Sequence, residues 1–298
     1  MERRGFIKNS LFTAGALSLG GSLASGANAP QESNLYKKSI MWGTVNMPGT
    51  VREKCLAVKA AGFQGVEFNS HMDREEALKA VKEAGLEVSS VCNAKHWALP
   101  LSHADAAIRQ QGAEAMIVAM EDARAYGTDA VLLVPGVVNN TISYKECWDR
   151  STEQIKALVP VAEKLKVKIC IENVWNNFLL SPLEAANYVD QFKSDQVGFY
   201  FDAGNILVYG WPEQWIKILG KRMFRLHIKE YSKKIADTKG KGAGFGVKLT
   251  EGDNDWKAIM AAVREEGYGP WLTTAQSGGD SLEGLIDLNR RLTNIINI

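Results

Sequence analysis

Three short apolar runs in this chain each end in a side chain that can hold a divalent cation: Cys170-Ile171-Glu172-Asn173, Phe201-Asp202-Ala203-Gly204-Asn205 and Leu226-His227-Ile228-Lys229-Glu230. Glu172, Asp202 and His227 follow one another at intervals of 30 and 25 residues. Strand–helix units of that length bring successive strand ends to one mouth. Two carboxylates and an imidazole suit a hard or borderline ion, with Mn²⁺ expected first and Mg²⁺, Co²⁺ or Zn²⁺ as alternatives. An acid at a strand end can also cap the next helix, so each residue alone has a structural explanation. Three at consecutive strand ends argue for a metal. A fourth ligand is expected after the last apolar run, Trp271-Leu272-Thr273-Thr274, but the residue there is Ala275, which can neither bind a metal nor move a proton.

The elements that would position these residues alternate along the whole chain. Apolar, β-branched runs fall at Ile40–Gly43, Gly65–Phe68, Val88–Val91, Ala130–Val134, Lys168–Glu172, Val197–Asp202, Arg225–Ile228 and Trp271–Thr274. Helical patterns separate them, with breaks at Gly62, Gly85 and Gly127, as expected for parallel α/β architecture. Ser151-Thr152-Glu153-Gln154 reads as a cap opening a helix to about Lys166, and Ser181-Pro182-Leu183-Glu184 opens another. Eight such units predict one (β/α)₈ TIM barrel over residues 31–298, with no linker. The segment Ser232–Lys248, rich in Gly and Lys, lengthens the connection after the seventh strand. It is read as a surface loop, or as a mobile lid whose lysines attract an anionic or polyhydroxylated substrate.

Composition excludes little beyond this. The net charge of +1 gives no case for nucleic acid as a partner. Four cysteines without CxxC spacing read as buried thiols. Residues 1–30 are set aside as a targeting segment. Arg3-Arg4-Gly5-Phe6-Ile7-Lys8, the apolar stretch to Leu23 and Ala27-Asn28-Ala29 resemble a twin-arginine signal peptide. That resemblance implies export, already folded, to the periplasm. The stretch is too short and mildly apolar for a stable membrane span.

Together, Ile171-Glu172-Asn173-Val174-Trp175-Asn176-Asn177, Phe201-Asp202-Ala203-Gly204-Asn205, His227-Ile228-Lys229-Glu230, Glu251-Gly252-Asp253-Asn254-Asp255-Trp256 and Ser277-Gly278-Gly279-Asp280 resemble the sugar isomerase/epimerase superfamily of xylose-isomerase-like barrels. The resemblance implies that Glu172, Asp202 and His227 bind the metal and that a Glu belongs at position 275. It also implies the chemistry. Metal-bound sugar oxygens stabilise an enediolate, one Glu removes the proton next to the carbonyl, and a second Glu returns it on the other carbon or face. Glu172 can fill one role. With Ala275 in the other position the chain is expected to be an impaired isomerase or epimerase, as an inactivating exchange of Glu for Ala would leave it. Gln276 would face away from the side that position 275 faces.

Further candidates for contact with a carbohydrate or glycoside are Glu67, His96, Trp97, Asn173 and Lys229, all at or just after strand ends. Glu67 and His96 offer hydrogen bonds to hydroxyls, and Trp97 offers an indole face. Lys229 could polarise a carbonyl, or pair with Glu230. Proton abstraction followed by loss of a β-leaving group would give a lyase or hydrolase of 3-keto-glycosides instead. A non-catalytic carbohydrate-binding barrel is the other alternative, and Ala275 is its support. An apurinic-site endonuclease shares the barrel, but its His-rich site is not matched where Asn205 follows Asp202. An oligomer is compatible with this reading.

Overall fold

The computed structural model describes residues 35–298, so the twin-arginine reading of residues 1–30 lies outside the described residues. Eight parallel strands close into a barrel in chain order: β1 Lys37–Met41, β2 Gly65–Asn69, β3 Glu87–Cys92, β4 Ala130–Leu133, β5 Lys168–Glu172, β6 Val197–Asp202, β7 Met223–Ile228 and β8 Trp271–Thr274. Each of the eight expected runs coincides with a strand, although Trp42 and Gly43 fall in a 3₁₀ turn after β1 and Val134 lies just past β4. β1 starts earlier than its apolar run suggests, because Lys37 and Lys38 pair with Trp271 and Leu272 at the closing seam.

The helices are α1 Val51–Ala60, α2 Arg74–Ala84, α3 Ala106–Tyr126, α4 Tyr144–Leu165, α5 Pro182–Asp190, α6 Ala203–Leu207, α7 Pro212–Leu219, α8 Lys233–Lys239, α9 Trp256–Glu265 and α10 Leu282–Ile296. The apolar core is mainly the layer between strands and helices, where Ile40, Val66, Ile169, Phe199 and Leu226 meet helix residues such as Cys55, Met120 and Ile155. A smaller apolar cluster, including Ala130, Leu132, Cys170 and Tyr200, fills the inside of the barrel. Strand alternation sends the other set of side chains inward, and several are polar: Ser39, Glu67, Ser90, Arg225, His227 and Thr273 are all buried. All four cysteines are free and buried.

Two local expectations are corrected. α4 begins at Tyr144, not Ser151. The same capping signature stands earlier as Ser143-x-x-Glu146, and both its reciprocal bonds form. Ser151 instead lies inside the helix, its hydroxyl donating to the Cys147 carbonyl at 2.6 Å. The segment Ser232–Lys248 is not one open loop: it holds α8 and a 3₁₀ turn at Lys241–Gly246. No helix among the described residues is long and apolar enough to cross a membrane.

Candidate metal centre

β5, β6 and β7 end side by side, with Glu172 paired to Tyr200 and Asp202 to His227 in register. Glu172, Asp202 and His227 therefore project from neighbouring strands, and one ligand atom from each lies within 4.8 Å of the others. Asp202 divides its work. Its Oδ1 accepts the Asn205 N–H at 2.8 Å, capping α6. Its Oδ2 is buried and has no hydrogen-bond partner, with His227 Nδ1 at 3.7 Å and Lys229 Nζ at 3.6 Å. The capping and ligand readings of this acid thus hold together, one on each oxygen. Gly204 is required beside it, since a Cβ there would lie 2.8 Å from the Lys229 carbonyl oxygen.

His227 is held at both ring nitrogens. Nδ1 lies 3.0 Å from Glu172 Oε1, and Nε2 lies 3.0 Å from Glu67 Oε1. Burial alone would favour the neutral imidazole, but Glu67 above all, with Asp202 and Glu172, outweighs it and holds the pKa well above the ordinary value. Burial raises Glu172, and His227 offsets only part of this. Asp202 runs the other way: burial is outweighed by Lys229 and His227, and its pKa is lowered. Three carboxylates thus converge on one imidazole.

Two carboxylates, one ring nitrogen and a buried oxygen lacking a partner fit a divalent cation, whose charge would satisfy Asp202 Oδ2 and separate Glu172 from His227. The triad lines a cavity of about 290 Å³ whose wall also includes Trp97, Trp175 and Phe245. Trp175 and Phe245 stack with ring centroids 4.1 Å apart, and Trp175 Nε1 is buried without a partner.

The family model of the xylose isomerase-like TIM barrel matches residues 55–287. The chain belongs to that family. Among curated relatives, it is 27% identical over 253 residues to L-ribulose-5-phosphate 3-epimerase UlaE of Escherichia coli O1:K1 / APEC, covering 80% of this chain and 84% of the relative. The enzyme of the same name from Salmonella paratyphi C is 26% identical over the same shares. Solved structures share the fold. The apo form of 3-keto-D-glucoside 4-epimerase YcjR from E. coli superposes with a TM-score of 0.74 at 16% identity, covering 87% of this chain and 99% of that one. An L-ribulose 3-epimerase superposes with a TM-score of 0.70 at 15% identity, covering 88% and 94%.

Within this xylose isomerase-like barrel, Ala275 continues β8. Its N–H donates to the Ile228 carbonyl at 3.2 Å, and its methyl lines the cavity beside the triad. Gln276 turns away, as alternation requires, and is buried among backbone groups. His96 and Trp97 line the cavity. Burial pushes the His96 pKa down to about 4, and Trp97 is 55% exposed at the rim. Lys229 also lines the cavity. It pairs with Asp202, not Glu230, and sits 4.7 Å over the Phe245 ring. Glu230 is fully buried, accepting bonds from the N–H groups of Tyr231, Thr250 and Asn254 and from Trp256 Nε1.

Two candidate carbohydrate contacts are placed elsewhere. Glu67 is fully buried, away from the cavity wall, because its carboxylate is drawn inward to His227, Ser90 and Tyr200. Asn173 is turned to β6, where it accepts the Asp202 N–H and donates to the Asp202 carbonyl, both at 3.2 Å. The insertion contributes differently from expectation: Phe245 enters the cavity wall, while Lys233, Lys234, Lys239 and Lys241 do not. Sequence reasoning missed Phe245, Cys92 and Tyr200. Tyr200 was reachable, standing two residues before Asp202 on the same side of β6; Phe245 carried no periodic signal.

Proposed function

We propose that this chain binds a divalent cation through Glu172, Asp202 and His227, and acts on a keto-sugar by moving the proton next to its carbonyl, as an isomerase or 3-epimerase does. The observation that carries the reading is the buried, unpartnered Asp202 Oδ2 facing His227 and Glu172 at the base of an aromatic-walled cavity. A bound cation would supply charge stabilisation for the sugar oxygens as the proton leaves. Glu172, with its pKa raised by burial, is tuned towards taking and holding that proton. Trp97 and Phe245 offer ring faces to the sugar's C–H surfaces. Lys229 is the only Lys or Arg among the described residues lining the cavity, and Asp202 already holds it. This favours an uncharged sugar over a sugar phosphate. Names of relatives, including L-ribulose-5-phosphate 3-epimerase and 3-keto-D-glucoside 4-epimerase, agree with keto-sugar chemistry.

Ala275 favours a second reading. Among the described residues no carboxylate besides Glu172 and Asp202 lines the cavity to return the proton, so turnover would fall by about 10²–10⁴-fold, leaving a barrel that binds sugar better than it converts it. The test is Mn²⁺ titration of the chelator-treated protein, followed by incubation with ketoses and with a 3-keto-glycoside in D₂O. Deuterium entering beside the carbonyl supports proton transfer, and cleavage of the glycoside would mark a lyase. Sugar binding without exchange supports the second reading. Failure to bind Mn²⁺, Mg²⁺, Co²⁺ or Zn²⁺ at millimolar concentration defeats the metal reading.

A further inference from the structure

We infer that Glu67 is a positioning residue for the metal site: it fixes the His227 ring so that Nδ1 is presented to the cation. The inference rests on the metal reading above. Glu67 comes from β2, far around the barrel from β7, and is 0% exposed. It does not line the cavity, so it cannot touch a sugar. Its Oε1 lies 3.0 Å from His227 Nε2. Its Oε2 accepts from Ser90 Oγ at 2.6 Å and from Tyr200 Oη at 2.5 Å.

A buried carboxylate is costly without donors, and here each oxygen has at least one. The Tyr200 ring lies against the His227 ring at 4.3 Å between centroids, which blocks the imidazole on one face. With Nε2–H directed at Glu67, the ring cannot flip, and Nδ1 stays aimed at the corner shared by Glu172 and Asp202. A carboxylate behind a ligating histidine orients the ring and strengthens the ligand. In this chain three strands, β2, β3 and β6, supply that support for a ligand on a fourth.

The experiment compares wild type with Glu67→Gln and Tyr200→Phe. Glu67→Gln keeps volume and leaves a carbonyl that can still accept from Nε2, while Ser90 and Tyr200 hydroxyls can accept from the amide. Mn²⁺ affinity, read by electron paramagnetic resonance, is expected to fall by roughly 10–100-fold in Glu67→Gln and by less in Tyr200→Phe. Long-range ¹H–¹⁵N spectra of the Zn²⁺-loaded proteins should show a sharp, slowly exchanging His227 Nε2–H in wild type and a broadened, faster-exchanging one in Glu67→Gln, where the charged acceptor is lost. A Glu67→Gln protein with lowered thermal stability but wild-type Mn²⁺ affinity and an unchanged His227 Nε2–H signal would overturn the inference and leave the metal reading standing. A wild-type protein that binds no divalent ion overturns both.

Discussion

The Gln276 side-chain amide donates to the Phe245 and Val247 carbonyls at 2.9 and 2.5 Å, while its oxygen accepts the Glu230 N–H at 2.8 Å. One buried side chain on the last strand end thus ties the Ser232–Lys248 insertion to β7. The wall that Phe245 forms is latched rather than loose, which argues against a freely moving lid. Gln276→Ala should leave the Glu230 N–H unpaired and cost about 1–3 kcal/mol. Thermal denaturation reads that cost. Limited trypsin digestion should cut faster at Lys239 and Lys241, and sugar affinity should fall. Unchanged digestion would mean the latch is not what holds the wall.

Ala275→Glu adds a carboxylate where the cavity meets the triad. Metal affinity should rise, and turnover should rise by about 10²–10⁴-fold if the second proton-mover is what the chain lacks. Calorimetric Mn²⁺ titration and ketose epimerisation measure the two separately. Ala275→Gln is the control of equal volume, and should do neither. If the Glu variant matches wild type in both, a four-ligand site is not what this barrel can build.

His96 makes the protein's stability pH-dependent. Its folded pKa is lowered to about 4 by burial, against about 6.5 when unfolded. The unfolded chain therefore takes up the proton first as pH falls. The stabilisation is fully present above pH ~6.5 and is lost between there and pH ~4, about 3 kcal/mol in all. His96→Gln should flatten that part of a urea-denaturation profile. Its amide can keep accepting the Val134 N–H that His96 Nδ1 now receives.

Trp97 separates binding from folding. It is 55% exposed, so Trp97→Ala should change stability by less than about 0.5 kcal/mol. Sugar affinity should drop by roughly two- to tenfold, the worth of one aromatic contact. In the same titrations a free ketose should bind more tightly than its phosphate ester, because Lys229 is already committed to Asp202. Tighter binding of the phosphate would place the substrate among sugar phosphates.

The barrel and its triad were legible because each rests on local pattern. Apolar runs mark strands, and Glu172, Asp202 and His227 stand at or next to the ends of three neighbouring ones, with Asp202 paired to His227. Glu67 and Asn173 were legible as strand-end residues but not in role. Whether a side chain at a strand end faces sugar or the barrel interior depends on its partners, and those of Glu67 stand on β3, β6 and β7. Phe245 was illegible, since its place depends on Gln276 and on stacking with Trp175. The start of α4 was misread because one capping signature was chosen over an equivalent one closer to the N-terminus.

Glu172, Asp202 and His227 come from three consecutive strands, but the residue bracing His227 lies 160 positions away along the chain. All three candidate ligand residues lie in the second half of the polypeptide, while the carboxylate at His227 Nε2 comes from the first. Only when β2 has taken its place beside β1 and β3 does the brace arrive. The same contact therefore makes the geometry of a site drawn from one half of the chain depend on a residue of the other.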